Sequence, residues 1–214
     1  MVSSLTLLSR ILGFIREILV ARIFGAGLFA DALFVAFRIP NLLRSIFAGG
    51  ALTSAFVPVF ASELAKSHEE ARAAMRSMSS LLLMATFAVT LVGVIFAPEV
   101  VAAIAPGFTP GSERYELCVL LTRLLMPYIM CVSLVALLNG ALNSVHIFGV
   151  SALAQVVMNL ALIIGALVAA FFSEPNAAIA LAITALAGGI LQIVAQIPAL
   201  RKSGFSLAPS AQVW

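Results

Sequence analysis

The chain has 214 residues, 63% of them hydrophobic and only 10% charged, and its mean hydropathy is +1.16, values outside the range of soluble domains that point to a polytopic membrane protein. Its net charge is +3, and all of that excess lies in the first fifty residues, where Arg10, Arg16, Arg22, Arg38 and Arg44 face only Glu17 and Asp31; the remaining stretch balances 7 basic against 7 acidic groups. A nucleic-acid partner is excluded, because a basic arm of that kind is polar and solvated, whereas these arginines are embedded in Leu, Ile, Phe and Val.

A membrane-spanning helix needs about 20 mostly apolar residues, and turn-forming clusters divide the sequence into six such units. The first runs from about Leu5 to Phe24 and stops at Gly25-Ala26-Gly27, where glycine permits a tight reversal. Its opening residues lack the charged start and small-residue cleavage site of a removable signal. A second unit, from about Phe29 to Leu64, is too long for one straight span, and Pro40 predicts a kink or break near Pro40 and Asn41. Ser67-His-Glu-Glu70 matches a capping box and opens a third helix reaching about Ala105. The run Pro106-Gly-Phe-Thr-Pro-Gly111 is a loop. After it comes a fourth helix from about Ser112 to Ser144, with a kink expected at Pro127. Residues 150 to 172 form the fifth span, the turn Ser173-Glu-Pro-Asn176 closes it, and a sixth runs from about Ala177 to Leu200. The chain beyond Lys202 reads as a polar tail. Cys118 and Cys131 fall in apolar sequence and read as two buried thiols.

Orientation follows from loop charge. Lys66, Arg72 and Arg76 lie in the loop around residues 62 to 78, and Arg201 and Lys202 lie in the tail. The connections on the other side carry only Arg114, against Glu113, Glu116 and Glu174. Both termini are therefore expected on the cytoplasmic side.

An arginine at the centre of a membrane helix costs roughly 2.5 to 3.5 kcal/mol on insertion scales, so several facing lipid would cost on the order of 10 kcal/mol. They should face water, a partner or an anion. Arg10 and Glu17 share a helix face at about 10.5 Å along the axis, as do Asp31 and Arg38, too far for direct contact in an ideal helix. Arg16 and Arg44 have no acid at helical spacing. Arg10, Arg16 and Arg44 are thus the candidates for holding an anion, since guanidinium forks match phosphate oxygens in a bidentate way; snorkelling to the interface or structural pairing is the competing reading, and it is the stronger one for Arg22 and Arg38. Asn41, beside Pro40, would line a polar cavity or bond across helices. Arg123, the only charge between Glu116 and Glu174, would add to the cavity or anchor at the interface. Asn139, Asn143, Gln155, Asn159, Gln192 and Gln196 read mainly as interhelical contacts. No metal-ligand spacing, phosphate-cradling glycine loop or nucleotide motif occurs, so no metal, cofactor or direct use of ATP is expected.

The segments Ser9-Arg10-Ile-Leu-Gly-Phe-Ile-Arg16-Glu17, Phe24-Gly-Ala-Gly, Asp31-Ala-Leu-Phe-Val-Ala-Phe-Arg38-Ile-Pro-Asn41-Leu-Leu-Arg44 and Ala55-Phe-Val-Pro58 closely resemble the opening of the MurJ (MviN) family of bacterial lipid II flippases. Ala105-Pro-Gly-Phe108, Pro127-Tyr128 and the 139 to 159 stretch extend the likeness over essentially the whole chain. The family belongs to the multidrug and oligosaccharidyl-lipid exporter superfamily. The resemblance implies an all-α polytopic membrane protein whose six transmembrane helices form one lobe of a two-lobe exporter fold. That lobe would occupy residues 1–203, with 204–214 beginning an inter-lobe linker, so the chain is expected to be truncated and to lack its C-terminal lobe.

The implied activity is transport of undecaprenyl-diphosphate-linked lipid II, the peptidoglycan precursor, across the bacterial cytoplasmic membrane, with lipid II and membrane lipids as partners and no enzymatic step. Family residues matching Arg10, Arg16 and Arg44 line a cationic cavity for the diphosphate and sugar headgroup. Those matching Asp31 and Asn41 belong to the same substrate-binding set, and Glu17, Arg38 and Arg123 are candidates for the cavity or its ion pairs. The sequence departs from the family pattern at Gly49, where an acid is usual, and at Ser151 and Gln155, where prolines are common. Gly49 bears on any gate that would depend on a carboxylate there. A multidrug exporter of the same superfamily, or another exporter of lipid-linked oligosaccharides, is the alternative, although a cavity for cationic drugs would need acids where this chain has arginines. An intramembrane enzyme acting on a lipid diphosphate would need a nucleophile or an acid–base pair near the arginines, and His68 and His146 lie at helix ends away from them.

Overall fold

Gly25 ends the first helix as its position in the sequence requires. Its φ of 57° lies in the left-handed region, and its N–H donates to Ala21 O at 2.9 Å, which closes α1 (Val2–Phe24) and turns the chain. The computed structural model describes residues 2–25, 27–47 and 50–205, with backbone alone for Val2, Leu28, Leu43, Arg44, Ile46, Phe47 and residues 50–54. Among these residues the further helices are α2 (Leu28–Phe47), α3 (Gly50–Lys66), α4 (His68–Ile95), α5 (Ala97–Ile104), α6 (Glu113–Leu125), α7 (Tyr128–Ser144), α8 (Gly149–Ala169) and α9 (Glu174–Lys202).

Hydroxyl caps begin α4 and α6. Ser67 Oγ accepts from the Glu70 N–H at 3.1 Å and Ser112 Oγ from the Tyr115 N–H at 3.2 Å, each satisfying a donor that the first turn leaves free. Of the kink or break expected near Pro40, the break does not occur there. Pro40 is buried within α2, which continues to Phe47, because a buried proline removes a single helix bond that packing on either side offsets. The third expected helix is instead divided at Phe96. Pro98, in the first turn of α5, has no N–H for Val94 O, and Arg123 Nε donates to that carbonyl at 3.3 Å. At Pro127, where a kink was expected, the helix is interrupted between α6 and α7, and Thr90 Oγ1 donates to Met126 O at 3.3 Å.

Close helix packing depends on glycines. A Cβ on Gly165 of α8 would stand 2.6 Å from Cβ and Cγ2 of Thr184 on α9, and one on Gly189 of α9 would stand 2.9 Å from Cys131 Cβ. In α4 the buried stripe is Ala71, Met75, Ser79, Leu82, Thr86, Thr90 and Gly93, while Leu81, Met84, Phe87, Leu91 and Ile95 point outward. Small and hydroxyl residues inside with bulky apolar residues outside is the pattern of a helix facing lipid. Cys118 and Cys131 are free thiols.

Four helical segments among the described residues are long and apolar enough to cross a membrane: 68–95, 113–144, 149–169 and 174–202. The expected first and second spans, α1 and α2–α3, hold the arginines. One end of the bundle gathers the α1–α2 turn, the loop before α6 and the α8–α9 turn, since the Cβ position of Gly27 lies 3.7 Å from Glu174 Oε2 and Arg114 pairs with Asp31. The other end gathers the α3–α4 corner and the end of α9. There Phe205 is buried against Phe60 at 5.2 Å between ring centroids and faces His68 at 5.9 Å, and Arg72 Nε donates to Gly204 O. The chain thus packs onto the bundle past Lys202 as far as Phe205; residues 206–214 of the expected polar tail lie outside the described part.

Candidate functional site

Five helices, α1, α2, α7, α8 and α9, enclose a cavity of about 780 Å³, within the 300–1,000 Å³ typical of ligand pockets. Its apolar wall includes Leu33, Phe37, Val132 and Leu162. The polar positions are Arg16 and Glu17 on α1, Asn41 on α2, Tyr128 and Asn139 on α7, Gln155 on α8 and Gln192 on α9.

Arg16 is held from two sides. Its Nη1 donates to Asn159 Oδ1 at 3.2 Å, and its Nη2 pairs with Glu17 Oε1 at 3.0 Å. Asn159, 2% exposed, turns its other end to α1, with Nδ2 donating to Ser9 O at 2.9 Å and Ser9 Oγ at 3.3 Å. One buried amide therefore fixes α1 against α8 and sets the guanidinium at the cavity wall. The Arg16 side chain is 27% exposed and that of Glu17 is 72%, so the acid sits toward the open side and the guanidinium retains N–H donors for an anion. A neighbouring acid was not expected for Arg16, because helical spacing was the only criterion; adjacent long side chains wrap far enough to meet.

Of the residues singled out from sequence, the cavity brings together Arg16, Glu17 and Asn41. Arg10 and Arg38 are exposed on α1 and α2 and do not line it. Asp31 is engaged by Arg114, 83 residues away, and not by Arg38; the Arg114 guanidinium also lies 4.0 Å over the Phe108 ring. Arg123 holds the carbonyl freed by Pro98. Arg44 belongs to α2, its side chain lying outside the described part, and Gly49 lies outside it altogether.

Asn139, Gln155 and Gln192 read from sequence mainly as helix-to-helix contacts; Gln192 makes one, to Ala154 O on α8, and all three also line the cavity. A signal for them existed. α7, α8 and α9 each carry two amides four residues apart: Asn139 and Asn143, Gln155 and Asn159, Gln192 and Gln196. That spacing places each pair on one helix face. Three consecutive apolar helices with an amide face imply a shared polar interior.

A bundle of apolar helices around a cavity that holds a buffered guanidinium defines the class: a polytopic α-helical membrane protein with an internal polar site. Comparison with known proteins narrows it. The family profile of the lipid II flippase MurJ matches residues 20–213, and the chain belongs to this family. The lipid II flippase MurJ of Burkholderia cenocepacia is 42% identical over 205 residues, covering 94% of this chain and 39% of that protein. The probable lipid II flippase MurJ of Vibrio cholerae is 36% identical, covering 97% and 41%. A solved structure of lipid II flippase MurJ in an inward closed conformation superimposes with a TM-score of 0.78 at 26% identity, covering 99% of this chain and 43% of that one. The chain thus spans about two fifths of the length of the relatives it matches.

Proposed function

We propose that the chain is the N-terminal lobe of a lipid II flippase of the bacterial cytoplasmic membrane, with six spans and both termini cytoplasmic. The observation that carries this reading is Arg16, a guanidinium fixed at the wall of an internal cavity by Asn159 and Glu17 in a chain of the MurJ family. Its free N–H donors suit a diphosphate. Arg10 and Arg44, with Asn41, extend the same anion site when the cavity opens, and Asp31, through Arg114, ties α2 to α6 at the outer end.

In the complete protein the undecaprenyl tail remains in lipid while the headgroup enters the cavity. Neutralising the diphosphate lowers the cost of carrying it through an apolar interior, and rocking of this lobe against a second one moves the opening from one side to the other. Because that motion needs two lobes, these residues alone do not translocate lipid.

The test uses the full-length protein as the sole flippase in cells whose own copy is depleted. Arg16→Ala and Arg44→Ala are each expected to stop peptidoglycan precursor supply and growth while the protein still reaches the membrane. Normal growth on either variant refutes the anion clamp.

A further inference from the structure

Beyond the arginine, we infer that the α7–α9 wall of the cavity, through Asn139 and Gln192, is a hydrogen-bond acceptor surface that selects the sugar part of the headgroup over the bare lipid diphosphate. This rests on the reading above that a lipid-linked sugar diphosphate enters the cavity.

Two orphaned oxygens carry the inference. Gln192 is 4% exposed, lines the cavity, and donates from Nε2 to Ala154 O on α8 at 3.0 Å. That carbonyl accepts only from an N–H, so the amide is oriented with Oε1 as its remaining end, and this oxygen is buried with no partner. Asn139 also lines the cavity, and its Oδ1 is likewise buried and unpaired. Both oxygens are buried as the side chains stand; burying a carbonyl without a donor costs about 1 to 3 kcal/mol, a cost relieved when the amide side chain turns to meet a ligand donor in the cavity.

The chemistry of that donor follows from the surroundings. A metal ion or other cation is disfavoured, because Glu17 is the one acid among the described lining residues and it is already paired with Arg16. A diphosphate has only acceptors to offer and belongs with the guanidinium. The cavity has room beyond the anion, and neutral carbonyl oxygens suit the hydroxyl and amide hydrogens of a sugar.

The experiment measures binding of two ligands, lipid II and undecaprenyl diphosphate without sugar, to the full-length protein in lipid nanodiscs. Gln192→Met and Asn139→Leu are each expected to weaken lipid II binding about tenfold, the loss of one buried hydrogen bond, with affinity for undecaprenyl diphosphate unchanged. Titration with the bare diphosphate counts the folded sites, so partial misfolding does not imitate the result, and Asn139→Leu removes an oxygen with no partner in the fold. Equal weakening of both ligands, or of neither, overturns the inference. Arg16→Ala should weaken both; if it weakens neither, the anion clamp fails while the ratio between ligands still decides the role of Gln192.

Discussion

Replacing Asn159 with leucine tests whether one buried amide sets the site. The substitution keeps the branched shape and heavy-atom count but removes three hydrogen bonds: the one from Arg16 Nη1 at 3.2 Å, and those to Ser9 O and Ser9 Oγ at 2.9 and 3.3 Å. Hydrogen bonds between helices in membranes average about 0.6 kcal/mol and reach about 1.7 kcal/mol, and the one to a guanidinium belongs at the upper end. The sum is about 2 to 3 kcal/mol, concentrated at the α1–α8 contact, where Gly13 lies against Asn159 with its Cβ position 3.7 Å from Nδ2. Reversible unfolding of the full-length protein in mixed micelles should show that loss. Binding of undecaprenyl diphosphate should fall as well, because Arg16 keeps only Glu17 to hold it. An Asn159→Leu protein with unchanged stability and unchanged diphosphate affinity would refute the reasoning, since the network would then be incidental to both.

Gly165→Ala should cost about 1 to 3 kcal/mol, because the new methyl group meets Thr184 Cβ at 2.6 Å and that atom moves only with the α9 backbone. Gly93→Ala should cost less than about 1 kcal/mol in the same unfolding measurement, as its obstruction is the far end of the Met126 side chain; equal costs would mean that α8 and α9 are not in backbone-limited contact. At the α3–α4 corner, the bond from Lys66 Nζ to Glu63 Oε1 at 2.9 Å holds the Glu63 carboxyl below its ordinary 4.5 and the Lys66 ammonium above its ordinary 10.5. The Glu63 contribution is present above pH 4.5 and lost as pH falls through its lowered value; that of Lys66 is present below pH 10.5 and lost as pH rises through its raised value. NMR titration should place the Glu63 midpoint below 4.5, and Lys66→Gln should return it toward 4.5.

What the sequence disclosed was local. Ser67 was legible as a cap because capping needs only a hydroxyl and the next turn's N–H groups, and Ser112 was legible as the start of the fourth helix. Proline was less informative. Pro98 and Pro127 stand at helix breaks, whereas Pro40, Pro58 and Pro198 lie inside continuous helices. For the arginines, an apolar setting was enough to show that each needs a counterpart, but not which one. Arg10 and Arg16 are six residues apart, on different faces of α1, and only the approach of α8 decides that Arg16 meets Asn159 and the cavity. The partners involved, Asp31 with Arg114 and Ser9 with Asn159, are 83 and 150 residues apart, beyond any periodicity.

The division of the cavity between helices bears on how it works. Arg16 and Glu17 come from α1, whose other face exposes Leu7, Phe14 and Ile18, so α1 is fixed mainly by α8 through Asn159. The amide wall comes from α7 and α9, where Gly189 brings the helices to within van der Waals contact of Cys131 and Tyr128. A ligand that binds Arg16 at one end and the amides at the other therefore joins α1 to the α7–α9 wall across the cavity. Binding of such a ligand favours whichever arrangement of α1 lets both ends engage. A bare diphosphate, reaching only the guanidinium, has no such leverage on the position of α1.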